Sequence, residues 1–130
     1  ADVSGATSGD VIATWSSAPG RASIDTASVD GEVGAVTATK EHSTGANTSS
    51  VTSDMSVSAG GIVIAAVIHN DGGTSWTENL TEGSDPSAFE STRSSFASGN
   101  FATAQTATIT ATFASNATSS GALFLAIAPA

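Results

Sequence analysis

Apolar and polar residues alternate along much of this chain with a period of two, the pattern of β-strands whose two faces meet different surroundings. In Thr106–Phe113, alanine, isoleucine and phenylalanine alternate with four threonines, and Val51–Ala59 alternates in the same way. The run Ile62–Ile68 is apolar at every position, and so is the closing run Ala122–Ala128. We therefore expect Ile62–Ile68 to be a central strand that is covered on both faces.

Turn-forming clusters divide the chain at regular intervals. Asp30-Gly31, Gly60-Gly61 and Asn70-Asp71-Gly72-Gly73 contain residues that tolerate tight turns, and we expect loops at Glu82–Pro86 and Ser115–Gly121. The runs between these signals predict about nine short strands: Val11–Trp15, Ser23–Val29, Val33–Glu41, Val51–Ala59, Ile62–Ile68, Trp76–Leu80, Phe89–Phe96, Thr106–Phe113 and Ala122–Ala128.

This spacing predicts an all-β fold, a two-sheet antiparallel β-sandwich of about eight or nine strands. Jelly-roll-like and immunoglobulin-like strand orders both fit this spacing. We expect residues 1–21 to form an amino-terminal arm with one strand, and residues 22–130 to form the sandwich domain. The predicted core consists of Ile62–Ile68, Ile109, Phe113, Phe124 and Ile127.

Composition agrees with this fold and limits the partners. The chain has 130 residues, the size of one domain, with 22 serines and 18 threonines but few helix formers. Its net charge of −9 opposes binding to nucleic acid or to an anionic membrane. It has no cysteine, and its apolar runs of about seven residues are far shorter than the roughly 20 that a membrane-spanning helix needs.

Residues able to carry catalysis are few, and we expect no enzyme activity. His42 lies in a polar stretch typical of a solvated loop, whereas His69 follows the apolar run Ile62–Ile68. A hydrolase using His69 and Asp71 is the least supported reading. Nucleotide-binding glycine motifs and metal-ligand histidine pairs are absent, so no cofactor and no metal are expected, although acidic clusters leave calcium as an alternative to a solvated surface.

Four residues are candidates for a ligand site or an interface. The two tryptophans, Trp15 and Trp76, could stack on sugar rings. His69 comes just before the Asn70–Gly73 turn at the predicted rim of the sandwich, and Asp71 lies within that turn. An aromatic content of 5% without tyrosine makes a flat aromatic platform hard to assemble. A core position is therefore the favoured prediction for Trp76.

The segment Gly60–Ala128 resembles small β-sandwich domains, often jelly rolls, of tailed-bacteriophage virion proteins. The resemblance rests on the double glycine, the Asn70–Gly73 turn, Trp76-Thr77-Glu78 followed by Leu80, the Thr/Ala strand and the apolar closing strand. Such domains serve as capsid decorations, minor head proteins or parts of fibres and tail tips. Most of them are not enzymes.

The resemblance favours a jelly-roll-like strand order over an immunoglobulin-like one, and it implies a structural protein on the exterior of a virion. It would self-associate as a homo-oligomer and dock on a larger virion protein such as a major capsid protein. The alternative is an extracellular or cell-surface protein: an adhesin, a filament subunit or a carbohydrate-binding module. As a hypothesis, neighbouring copies or a host shell complete the structure, because the arm at residues 1–21 is rich in turn formers and the core is thin, with only 24 valine, isoleucine, leucine and phenylalanine residues.

Overall fold

A computed structural model describes residues 14, 16, 33–45, 47–70, 72–77, 79–84 and 92–130. The described residues form strands and the turns between them. The eight strands are β1 (Val33–Thr44), β2 (Thr48–Val57), β3 (Gly61–His69), β4 (Thr74–Trp76), β5 (Thr81–Ser84), β6 (Arg93–Phe101), β7 (Gln105–Ala117) and β8 (Ser120–Pro129).

These strands form two antiparallel sheets, which confirms the predicted all-β sandwich. The five-stranded sheet has the order β1-β8-β3-β6-β5, and the three-stranded sheet has the order β2-β7-β4. The pairs β1–β8, β2–β7 and β3–β6 are nested, as in a long hairpin rolled up on itself. This nesting is the jelly-roll arrangement that the resemblance favoured, with β5 joined to β6 in the larger sheet.

Glycines make the tight connection between β2 and β3 possible. Gly60 has a φ of 75°, in the left-handed region that other residues rarely adopt, and its N–H donates to the Phe101 carbonyl at 2.8 Å. The Gly61 N–H donates to the Ser58 carbonyl at 2.9 Å and closes the turn. The double glycine seen in the sequence therefore reverses the chain from the smaller sheet into the larger one.

The core lies between the sheets and is made of side chains at alternate positions of each strand. Ile109 and Phe113 on β7 and Phe124 on β8 are buried there, as predicted. The other buried hydrophobic residues are Val51, Met55, Val57, Val63, Ala65, Val67, Leu80, Ala97, Phe101, Ala107, Ala111, Ala117 and Ala126. Alanine is frequent in this set, so the core contains few large side chains.

Several predicted boundaries were wrong. The strand expected at Trp76–Leu80 ends at Trp76, because the Leu80 N–H donates to the Thr77 carbonyl in a turn. Residues Thr81–Ser84 are strand β5, where part of a loop was expected. The strand expected at Phe89–Phe96 is β6, and within the described residues it runs from Arg93 to Phe101. The turn expected at Ser115–Gly121 is confined to residues 118–119.

The expectation that β3 is covered on both faces was also wrong. β3 is the central strand of its sheet, and Val63, Ala65 and Val67 are buried on its inner face. On its outer face Ile68 is 48% exposed, and the other outer residues of β3 are only partly buried. Ile127 on β8 likewise lies on the outer face and is partly buried, so it is not part of the core.

Candidate docking surface

His69 is buried between the two sheets. Its side chain is 2% exposed, and its Nε2 lies 2.7 Å from the Thr74 hydroxyl of the opposite sheet. Its ring stacks on Phe113, with the ring centres 4.3 Å apart. Because these contacts occupy the imidazole inside the fold, His69 links the two sheets at the end of β3.

Trp76 is half-buried and also links the sheets. Its indole N–H donates to the Ser95 hydroxyl at 2.8 Å, and that hydroxyl donates to Glu82 Oε1 at 3.1 Å. The ring packs against the hydrophobic core, in agreement with the predicted core position. Its N–H is bonded within the fold.

The four candidate residues therefore have different outcomes. His69 and Trp76 both reach the interior, where β4 connects them: Thr74, the partner of His69, lies two residues before Trp76 on the same strand. Trp15 and Asp71 lie outside the described residues. The expected arm at residues 1–21 and the strand at Ser23–Val29 lie outside them too, apart from Thr14 and Ser16 in the arm.

A small pocket of about 340 Å³ opens at the end of the sandwich where β3 ends in His69. It is lined by Ser43, Ile68, His69, Asn70, Thr92, Ser119, Ser120 and Gly121. Asn70 closes the β7–β8 turn there: its Oδ1 accepts the backbone N–H groups of Thr118 and Ser119 at 2.9 and 3.1 Å. The Asn70 side chain therefore stabilises the turn between β7 and β8.

The outer face of the three-stranded sheet is a layer of hydroxyl groups. The Thr52 and Thr110 hydroxyls lie 3.0 Å apart across β2 and β7, and the Thr108 hydroxyl donates to Asp54 at 2.7 Å. In this sheet, apolar and polar residues alternate along the strands because apolar side chains point into the core and polar side chains point into water.

The outer face of the five-stranded sheet is different, because its central strands carry large aliphatic side chains there. We call this the apolar outer face. It is formed by Ile62, Ile64, Ala66 and Ile68 of β3, Leu123, Leu125 and Ile127 of β8, and Phe96 of β6. Val36 on β1 extends it and is 56% exposed, while Leu123 is 39% exposed. Contiguous apolar surface of this kind marks sites of protein association.

A shallow trough of about 640 Å³ crosses this face at Gly121. Gly121 has no side chain, and it lies between Ser43 on β1 and Ile68 on β3. A Cβ atom at Gly121 would lie 3.5 Å from Ile68 Cγ2, which is ordinary contact, so neither sterics nor backbone conformation demands glycine here. The missing side chain instead opens space beside the exposed Ile68 and Leu123.

The surroundings of the trough carry little charge. Among the described residues that line it, Glu41 and His42 at its β1 side are the titratable ones, and the others are Ser43, Ala66, Val67, Ile68, Ser94, Gly121, Ala122 and Leu123. Asp54 lies on the opposite sheet, and Glu82 is bonded to Ser95. The described lining of the trough therefore contains one carboxylate, in a chain whose net charge is −9.

Sequence reasoning missed this surface, although its signal was present. The uninterrupted apolar runs Ile62–Ile68 and Ala122–Ala128 indicated that both faces of β3 and β8 needed cover. The pattern of one strand does not reveal what provides that cover. The structure locates the uncovered side on the five-stranded sheet, beside Gly121.

Comparison with known proteins gives no further guidance. No family model, curated protein or solved structure matches this chain. The described residues contain no group of three or more histidine, aspartate or glutamate side chains arranged to hold a metal ion. In that same part of the chain, no helix has the length and apolarity needed to cross a membrane.

Proposed function

We propose that this chain is a non-enzymatic structural protein that acts by docking on other protein subunits through its apolar outer face. The observation that carries the proposal is the uncovered aliphatic surface at Ile68 and Leu123. A two-layer sandwich normally turns polar side chains outward on both sheets, as the threonine face does here. The five-stranded sheet departs from that rule over two adjacent central strands.

The polar groups of the interior support a structural role. His69 is held by Thr74 and Phe113, and Trp76 by Ser95. Buried, hydrogen-bonded groups of this kind fix the relative position of the two sheets. A rigid sandwich with an exposed apolar outer face is suited to a subunit that assembles with other subunits.

We further propose that the assembly is the exterior of a virion, in which the chain is a capsid decoration, minor head or fibre component docked on a larger viral protein. This part of the proposal rests on the sequence resemblance of Gly60–Ala128. The jelly-roll strand order and the apolar outer face are compatible with it. A cell-surface adhesin or carbohydrate-binding module has less support, because Trp76 lies against the core.

The proposal is tested on material isolated from the natural source. Size exclusion with light scattering gives the mass of the native particle, and mass spectrometry identifies its other components. We expect the chain in a particle much larger than 12.6 kDa, together with a larger virion protein. A free 12.6 kDa monomer in native material would refute the docking role, and a large particle without viral components would refute the virion assignment.

A matched pair of variants shows whether the apolar outer face is responsible. Leu123→Asp places a charge on this face, and Thr112→Asp places the same charge on the threonine face. We expect only Leu123→Asp to prevent incorporation into the native particle. Equal incorporation of both variants would refute the assignment of this surface.

A further inference from the structure

Two adjacent rows of outward side chains across β1, β8, β3 and β6 are complementary in size. From β1 to β6 the first row reads Ser43, Gly121, Ile68, Ser94, and the second row reads Glu41, Leu123, Ala66, Phe96. On each strand, one row has a small residue where the other has a large one. The rows are two residues apart along each strand, about 7 Å.

We propose that a second copy of this chain covers the Gly121 end of the apolar outer face, related to the first by a two-fold axis that lies between the five-stranded sheets of the two copies and crosses β8 over Ala122. Such an axis is parallel to both sheets and perpendicular to their strands. Each strand of one copy therefore lies antiparallel over the same strand of the other copy. The axis thus places the first row of each copy over the second row of the other. This inference rests on the proposed docking function and names its partner.

The symmetry places a large side chain over a small one on three strands at once. Leu123 of each copy lies over Gly121 of the other and enters the trough. Ile68 lies over Ala66, and Phe96 lies over Ser94. Two such faces interlock at the spacing of about 10 Å usual for stacked sheets. A self-complementary surface is what a two-fold dimer requires.

The charges permit the same contact. Two copies with a net charge of −9 repel each other in most orientations. In the proposed arrangement Glu41 lies over Ser43 of the other copy, so no carboxylate of the two rows faces another carboxylate. The trough, whose described lining contains one carboxylate, is a place where two acidic copies can approach closely.

A leucine exchange along β8 tests this arrangement. Gly121→Leu fills the trough and sets leucine against leucine, while Leu123→Ala leaves the trough empty. The double variant moves the leucine from position 123 to position 121, and the same axis then places it over the alanine of the other copy. A Cβ atom at Gly121 would make only ordinary contacts, and we expect the trough to hold the rest of the leucine; thermal unfolding checks that the monomer fold is intact.

Sedimentation equilibrium of the purified chain gives the dimer dissociation constant of each variant. We expect each single change to raise it by about tenfold or more, and the double variant to recover most of that loss. Thr112→Leu, on the threonine face, serves as the control and leaves the constant unchanged. If the double variant loses as much dimerisation free energy as the two single changes added together, the proposed axis is wrong.

The same measurement separates this inference from the docking function on which it rests. A purified chain that stays monomeric at all concentrations, but whose Leu123→Asp variant is not incorporated into the native particle, refutes the second copy and leaves docking on a different protein. If Leu123→Asp changes neither the dissociation constant nor incorporation, both proposals are refuted.

Discussion

The indole N–H of Trp76 donates to the Ser95 hydroxyl at 2.8 Å, and this hydrogen bond joins the two sheets of the sandwich. Trp76 belongs to β4 in the smaller sheet and Ser95 to β6 in the larger one. Ser95 is 1% exposed and donates in turn to Glu82. The Trp76–Ser95 hydrogen bond therefore connects the two sheets beside the hydrophobic core.

Replacing Trp76 with phenylalanine removes this link. We expect Trp76→Phe to lower the free energy of unfolding by about 1–3 kcal/mol, because the Ser95 hydroxyl loses its donor and some packing is lost. Chemical denaturation measures the change. In a double-mutant cycle with Ser95→Ala, the two effects should be non-additive by about 1 kcal/mol, and strict additivity would contradict a direct contact.

Two neighbouring residues on β8 should respond very differently to truncation. Phe124 is fully buried between the sheets, while Leu123 is 39% exposed on the apolar outer face. We expect Phe124→Ala to cost about 3–5 kcal/mol of monomer stability and Leu123→Ala less than about 1 kcal/mol. Denaturation at a concentration that keeps the chain monomeric makes the comparison. Similar losses would mean that Leu123 is a core residue.

Two glycines provide a second contrast. A Cβ atom at Gly99 would lie against the Asn79 carbonyl oxygen, whereas one at Gly121 would make only ordinary contacts. We expect Gly99→Ala to destabilise the fold by more than about 2 kcal/mol through overpacking, and Gly121→Ala to change the unfolding free energy by less than about 1 kcal/mol. Thermal unfolding of both variants decides. Strong destabilisation by Gly121→Ala would give that glycine a structural role and weaken its assignment to a docking trough.

The fold was largely predictable because strand geometry imposes a period of two on a residue's exposure. That rule placed β7 and the core residues Ile109 and Phe113 correctly. β6 was misplaced because its inward side chains include Ser95 and Ala97, which give little contrast in hydropathy with their neighbours. β5 was missed for a related reason, since Thr81–Ser84 has no apolar residue and is held by pairing to β6.

The candidate site was harder to predict than the fold. Polar and aromatic residues attract attention in a sequence, but His69 and Trp76 serve the interior. The proposed docking surface consists of ordinary strand residues, Ile68 and Leu123, together with Gly121, which leaves space beside them. Only the register of β8 against β3 shows that these residues are neighbours.

Thiol labelling tests the central claim most directly, because the chain has no cysteine of its own. Leu123→Cys places one thiol on the apolar outer face, and Thr112→Cys places one on the threonine face. Reaction rates with a maleimide are measured for each variant in the assembled particle and in the dissociated chain. We expect assembly to slow the reaction at position 123 by at least about tenfold and to leave position 112 unchanged. Equal rates at position 123 in both states would contradict the claim that this face is the docking surface.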